Sequence, residues 1–169
     1  MDVLVSFIVL ILLIPVAYGA VIGAPLIFAP KKAIRIMIKE ANIKNNEIVY
    51  DLGAGTGRLI VMAKKEFLKN IYGIEIALII WLIGKINLFV NKVKISNLKL
   101  GNFYKSDFGN IDIFLCFLTP KAMKKLKNKF ETETKKGSRI ISYAFEINGW
   151  KPKKIIKEKG IASIFVYEI

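Results

Sequence analysis

The chain has no histidine and a single cysteine, Cys116. Without histidine, Ser-His-Asp triads, Cys-His pairs and His-containing zinc sites are excluded. One cysteine cannot close an internal disulfide. Its place in the apolar run from Ile113 to Leu118 marks it as a buried strand residue. Arginine is scarce as well: of 27 Lys+Arg, only Arg35, Arg58 and Arg139 are arginine. Proteins that read nucleic acid favour guanidinium forks, which match guanine and phosphate bidentately. The formal net charge of +14 therefore points to an anionic membrane surface or to plain solvation before it points to nucleic acid.

Charge is also missing from one end. Residues 1–30 carry a single charged side chain, Asp2, and 23 hydrophobic residues, a density well above the chain's 54%. Residues 31–169 hold every basic residue and have an ordinary globular composition. A length of 169 residues allows one domain and an appendage. From Val3 to Ala29 no residue is charged, and about 20 helical residues cross a ~30 Å hydrocarbon layer. Residues 3–22 are thus expected to form a transmembrane helix, with Pro15 as a tolerated kink. A cleaved signal peptide, with Ala17 to Ala20 as its small-residue site, is the rival reading; the absence of Lys or Arg before the run argues against it. Lys31, Lys32 and Arg35 follow the run closely, so the positive-inside rule puts the domain in the cytoplasm. The expected organisation is a membrane anchor over 1–30 and a globular domain over 31–169.

The globular part alternates strands and helices. Helical spacing of Ala33, Ile34, Met37, Ile38 and Ala41 predicts a helix over 31–42. Strands are expected at 48–52, 71–76, 93–98, 111–118 and 138–145, and helices at 58–68, 78–91 and 120–135. The run 111–118 is apolar enough for a sheet covered on both faces. Two short strands, 154–157 and 163–168, form a closing hairpin around Gly160. This pattern predicts an α/β fold: a doubly wound, Rossmann-like seven-stranded sheet with an antiparallel edge hairpin.

The informative stretch is Val49-Tyr50-Asp51-Leu52-Gly53-Ala54-Gly55-Thr56-Gly57-Arg58. Gly53, Gly55 and Gly57 allow a sharp turn and let a ligand lie against bare main chain, at the start of a helix. Asp51 can accept a hydrogen bond from a ligand ammonium, or sit behind the turn. Glu75 ends the next strand, where an acid meets ribose hydroxyls in doubly wound folds. Nicotinamide and flavin folds use G-x-G-x-x-G, whereas here the third glycine comes one position earlier and Arg58 takes the dehydrogenase position.

The D-x-G-x-G-x-G form resembles the cofactor turn of the class I S-adenosylmethionine-dependent methyltransferases. That resemblance implies S-adenosylmethionine as cofactor, the glycine turn near its methionine part and Glu75 on its ribose. It also places Asn102 and Phe103, after Gly101, around the adenine. A transmembrane helix, Gly23-Ala24-Pro25, a helix led by Pro30, the glycine turn and the stretch Phe145 to Pro152 together resemble one subgroup. This is the membrane-anchored protein-lysine methyltransferases that include the mitochondrial enzymes modifying ATP synthase. The chain departs from that family at Phe28-Ala29-Pro30, where Pro-Thr-Pro is usual, and at Asn148-Gly149-Trp150, where Pro-Gly-Trp is usual.

The resemblance implies methylation of a protein lysine at the membrane. A lysine acceptor has a pKa near ~10.4 and must shed a proton before it attacks. With no histidine available, Asp107, Asp112 and Glu146 are the acidic candidates for taking it, and no base is assigned. The catalytic residues remain open at this point. Leu118-Thr119-Pro120 lacks the N-P-P-[YF] pattern that holds a flipped base, which again disfavours nucleic acid. Two other readings stand beside the lysine enzyme: a methyltransferase of a lipid or quinone, and a non-catalytic S-adenosylmethionine-binding module.

Overall fold

A computed structural model describes residues 2, 3, 5, 6, 28–66 and 70–169. Of the expected anchor over 1–30, residues 1, 4 and 7–27 lie outside the described residues. Among the described residues, no helix is long and apolar enough to cross a membrane.

Helix α1 (Lys31–Ala41) buries Ala33, Ile34, Met37, Ile38 and Ala41, the face its spacing predicts. It stops at Asn42, whose left-handed φ of 46° closes the helix end. Strand β1 (Val49–Leu52), helix α2 (Arg58–Lys65), strand β2 (Ile71–Glu75) and helix α3 (Leu78–Val90) follow. Next come β3 (Leu98–Leu100), β4 (Ile113–Cys116), α4 (Pro120–Glu133), β5 (Arg139–Tyr143), β6 (Lys154–Ile156) and β7 (Ile164–Glu168). Helix α4 starts as its sequence dictates: Pro120 takes the first turn and the Thr119 side chain accepts from the Ala122 N–H.

One seven-stranded sheet has the order β3-β2-β1-β4-β5-β7-β6. Strands β1 to β5 pair in parallel, and β7 runs against both of its neighbours, β5 and β6. The doubly wound sheet and its closing hairpin are as the alternation implied. All four residues of β4 are buried, as expected for a strand covered on both faces. One core lies between the sheet and α1, α2 and α3, built on Met37, Ile60 and Leu88. The other lies under α4, where Phe108, Phe114 and Phe130 meet ring to ring.

The strand expected at 93–98 starts late. Lys92 has a left-handed φ of 58°, Ile95–Asn97 forms one 3-10 turn, and pairing begins only at Leu98. The cause is Asn97, buried, whose side-chain amide donates to the Ile71 carbonyl at 2.7 Å. That bond ties the turn to the foot of β2 and leaves three residues for β3. The expected strand 111–118 is likewise trimmed to four residues. A turn closed by the Ile111 N–H on the Phe108 carbonyl precedes it, and Phe117 and Leu118 lie past its paired end.

The strand order reverses between β1 and β4, so the carboxyl ends of β1, β2, β4 and β5 bound a crevice. Ligands of open α/β sheets bind at such a switch point.

Candidate active site

The glycine turn occupies this crevice. Gly53, Gly55 and Gly57 have φ of 75°, 55° and 71°, a region that side-chain-bearing residues enter only under strain. A Cβ built on Gly55 would meet nothing within 4 Å, so the main chain there faces open space that a ligand can occupy. Gly57 is glycine for a second reason: its Cβ would come within 2.4 Å of Leu88 on α3.

Glu75 holds the turn in shape. Its two carboxylate oxygens accept from the Gly55 N–H and the Ala77 N–H, each at 2.8 Å. The acid is buried, and a carboxylate keeps lone pairs beyond two such bonds. Asp51 lies beside it, 7% exposed. Burial, followed by the negative charge of Glu75, pushes the Asp51 carboxyl up to about 7. Two acids at the floor of an open glycine turn make a site that favours a cation.

Cys116 is fully buried on β4 next to Leu52. Burial, then the Asp51 charge, pushes its thiol far above the ordinary range, so it is inert. Asn102 follows Gly101 at the end of β3, and its side-chain oxygen accepts from the Tyr104 N–H at 3.0 Å. Phe103 is 1% exposed and packs in the core under α4, so its side chain serves packing first.

Of the three acids named as proton acceptors, two lie away from the crevice. Asp112 precedes β4 at the amino edge of the sheet. There it accepts from the Ile48 N–H at 2.8 Å and pairs with Lys135 at 2.6 Å. Burial works to raise its pKa, but the Ile48 bond and Lys135 outweigh it and hold the carboxyl below its ordinary range. Asp107 accepts from the Gly109 N–H in a turn whose Gly109 lies close to the Glu133 carbonyl, at the far end of α4. Glu146 alone reaches the carboxyl edge. It lines a groove of about 830 Å³ with Pro120, Lys121, Lys124, Phe145 and Asn148. The groove opens between the start of α4 and the segment after β5. Ala144 in that segment has a φ of 70°, a strained backbone at the rim.

The two segments that depart from the resembling family sit differently. Phe28 lies under the Arg58 guanidinium, 5.3 Å from ring centre, at the first residue after the glycine turn. Trp150 points away from the crevice: its indole N–H donates to Glu131 at 2.9 Å, and its ring stands against Tyr167. It pins its loop to the flank of α4, while Asn148 two residues earlier faces the groove.

Sequence reasoning missed the buttress behind the turn. Gly84 lets α3 approach so closely that a Cβ there would lie 2.5 Å from Leu98 and 3.1 Å from the Gly55 carbonyl. One helical turn on, the Asn87 amide donates to the Thr56 carbonyl at 2.8 Å. A glycine in the middle of the apolar helix Leu78–Val90 was the available signal, since it costs about 1 kcal/mol against alanine unless packing requires it.

Residues 51–154 match the family described as the ANTKMT methyltransferase domain. The chain belongs to this methyltransferase family. A protein-lysine N-methyltransferase of Saccharolobus islandicus is 37% identical over 85% of this chain and 91% of its own length. The adenine nucleotide translocase lysine N-methyltransferase of Mus musculus is 27% identical over 70% of this chain. The chain spans about half of that animal relative, 52% of its length. Among solved structures, an RNA methyltransferase from Salinibacter ruber in complex with S-adenosyl-L-homocysteine superposes with a TM-score of 0.78. It is 21% identical, over 85% of this chain and 94% of that one. At that identity the likeness concerns the fold. The methyltransferase therefore carries its glycine turn in open, ligand-accessible form, with a groove along the same edge of the sheet.

Proposed function

We propose that this methyltransferase transfers the methyl group of S-adenosylmethionine to a lysine side chain of a protein at a membrane. The observation that carries the reading is the 37% identity to a protein-lysine N-methyltransferase along nearly the full length of both chains. The site's chemistry fits the cofactor. Open main chain at Gly55 gives the methionine part room, Asp51 meets its ammonium, and Glu75 takes ribose hydroxyls with its remaining lone pairs. Asn102 borders the adenine end, where its side-chain N–H groups remain for a ring nitrogen. When bound, the sulfonium supplies an already activated methyl group, so the protein's main task is to place the nucleophile in line.

The groove beside α4 is the acceptor's entry. Glu146 accepts from the incoming ammonium and orients it, while Lys121 and Lys124 surround it with like charge. Like charges lower the pKa of a lysine ammonium and work against the opposite pull of the Glu146 carboxylate, toward the neutral amine that attacks. The proton passes to Glu146 or to water at the open rim. The anchor over residues 3–22, with the domain on the cytoplasmic side, would hold the enzyme next to a membrane-borne acceptor and raise its effective concentration.

The experiment is to incubate membranes with enzyme and methyl-labelled S-adenosylmethionine, then separate protein from organic extract and hydrolyse the protein. Label in methyllysine is the expected result. Label confined to the extract would make the acceptor a lipid or quinone, and label in neither would reduce the chain to a binding module.

A further inference from the structure

We propose that the outer face of α3 is a membrane-docking surface that lies in the interfacial layer of a bilayer containing anionic lipid, apart from the apolar run at the start of the chain. At 100° per residue, Leu78, Ile79, Leu82, Ile83, Ile86, Phe89 and Val90 fall within one arc of about 140°. All but Ile79 are exposed, up to 64% for Ile86, 71% for Val90 and 75% for Phe89. The opposite side of the helix, Ile80, Gly84 and Leu88, already serves the core and the glycine turn. Ile95 and Leu100 extend the exposed apolar area beyond the helix end. A contiguous exposed apolar patch of this kind marks an interaction surface.

The charges around it name the occupant. From Ile76 to Ser106 the sequence contains no acidic residue and five lysines, at 85, 92, 94, 99 and 105. Lys85 lies on one border of the apolar arc by the same helical count, and Lys92 follows just past the helix end. At the end of α2, burial and then the charge of Lys94 hold the Lys64 ammonium below its ordinary range, so basic groups crowd that corner. An apolar stripe bordered by lysines and free of acids is the pattern of a helix lying in the headgroup boundary of an anionic membrane. A second protein copy would bring its own Lys85, Lys92 and Lys94, with no acid from this stretch, to the same face. Helix α3 begins three residues after Glu75, so docking it holds the cofactor end of the crevice at headgroup level. The surface stands whether or not the acceptor is a lysine.

The test uses the full chain carrying Phe89→Cys, labelled with an environment-sensitive fluorophore and reconstituted into phosphatidylcholine vesicles with or without phosphatidylglycerol. Cys116 is fully buried and leaves the new thiol as the reactive one. Lys136→Cys, in the exposed loop between α4 and β5, is the control. S-adenosylhomocysteine binding, unchanged in both variants, reports an intact domain. The expected result is a blue shift at position 89, quenched by doxyl-labelled lipid, only with phosphatidylglycerol present and lost in high salt, with no shift at position 136. A label at 89 that stays in water, or that shifts equally in both vesicle types, overturns the proposal. Shielding without lipid quenching also overturns it: a dependence on protein density then identifies a second copy, and independence of density identifies residues 7–27 of the same chain.

Discussion

Replacing Asp51 with asparagine should stabilise the unliganded protein above about pH 7, destabilise it at about pH 4, and disable cofactor binding at every pH. In the folded chain, burial and then Glu75 raise the Asp51 carboxyl from 3.8 to about 7. Between those values the native state holds a proton that the unfolded state has released, so wild-type stability falls as pH rises. The separation is about three units, and at 1.36 kcal/mol per unit the buried charge costs about 4 kcal/mol at pH 8. The asparagine of the Asp51→Asn variant carries no charge at any pH. Its amide brings a donor that needs a partner, a constant cost of about 1–3 kcal/mol. The difference in stability between variant and wild type should therefore shift in the variant's favour by about 4 kcal/mol from pH 4 to pH 8. Urea unfolding of the full chain in detergent, followed by the fluorescence of Trp81 and Trp150, measures it. Calorimetry with S-adenosylmethionine should show wild-type affinity rising as pH approaches 7 and levelling above it, because the cationic ligand favours ionised Asp51. The variant should bind far more weakly at every pH. A stability difference that is flat across pH, or one that moves the other way, would refute the reasoning.

Gly55→Val places a β-branched side chain at a φ of 55° and fills the space meant for ligand, so cofactor binding should vanish for about 1–2 kcal/mol of stability; wild-type affinity by calorimetry would show the turn to be a mere connector. Gly84→Ala should cost about 1–3 kcal/mol, because its Cβ lands on Leu98 and the Gly55 carbonyl, and should weaken the cofactor from outside the crevice. Equal affinity in that variant would remove α3 from the turn's support. Glu75→Gln turns one of two acceptors into a donor facing a backbone N–H, costing about 1–3 kcal/mol in denaturant and weakening binding of S-adenosylhomocysteine. Glu146→Gln should lower kcat on a lysine acceptor and leave cofactor affinity unchanged, as steady-state kinetics and calorimetry together would tell; an unaltered kcat would take Glu146 out of the acceptor site.

The glycine turn was legible because its reasons are local. Positive φ at 53, 55 and 57 and the acids Asp51 and Glu75 near the carboxyl ends of β1 and β2 are properties of short segments, and short segments carry them in their residue types. The strand-helix alternation was legible for the same reason, since apolar periodicity is a property of one element at a time. The short β3 was not. Its start depends on one side-chain bond from Asn97 to a strand 26 residues away. Nor could the sequence sort its three acids. Asp107, Asp112 and Glu146 look alike on paper, and only the direction of the strands sends two of them away from the crevice and one to its rim. Gly84 and Asn87 show the same limit, because their partners Gly55 and Thr56 are neighbours only once α3 has packed across the turn. The sequence by itself determined which backbone could cradle a cofactor. Tertiary packing decided which side chains surround that cradle, because proximity across elements follows from the order and direction of strands and not from spacing along the chain.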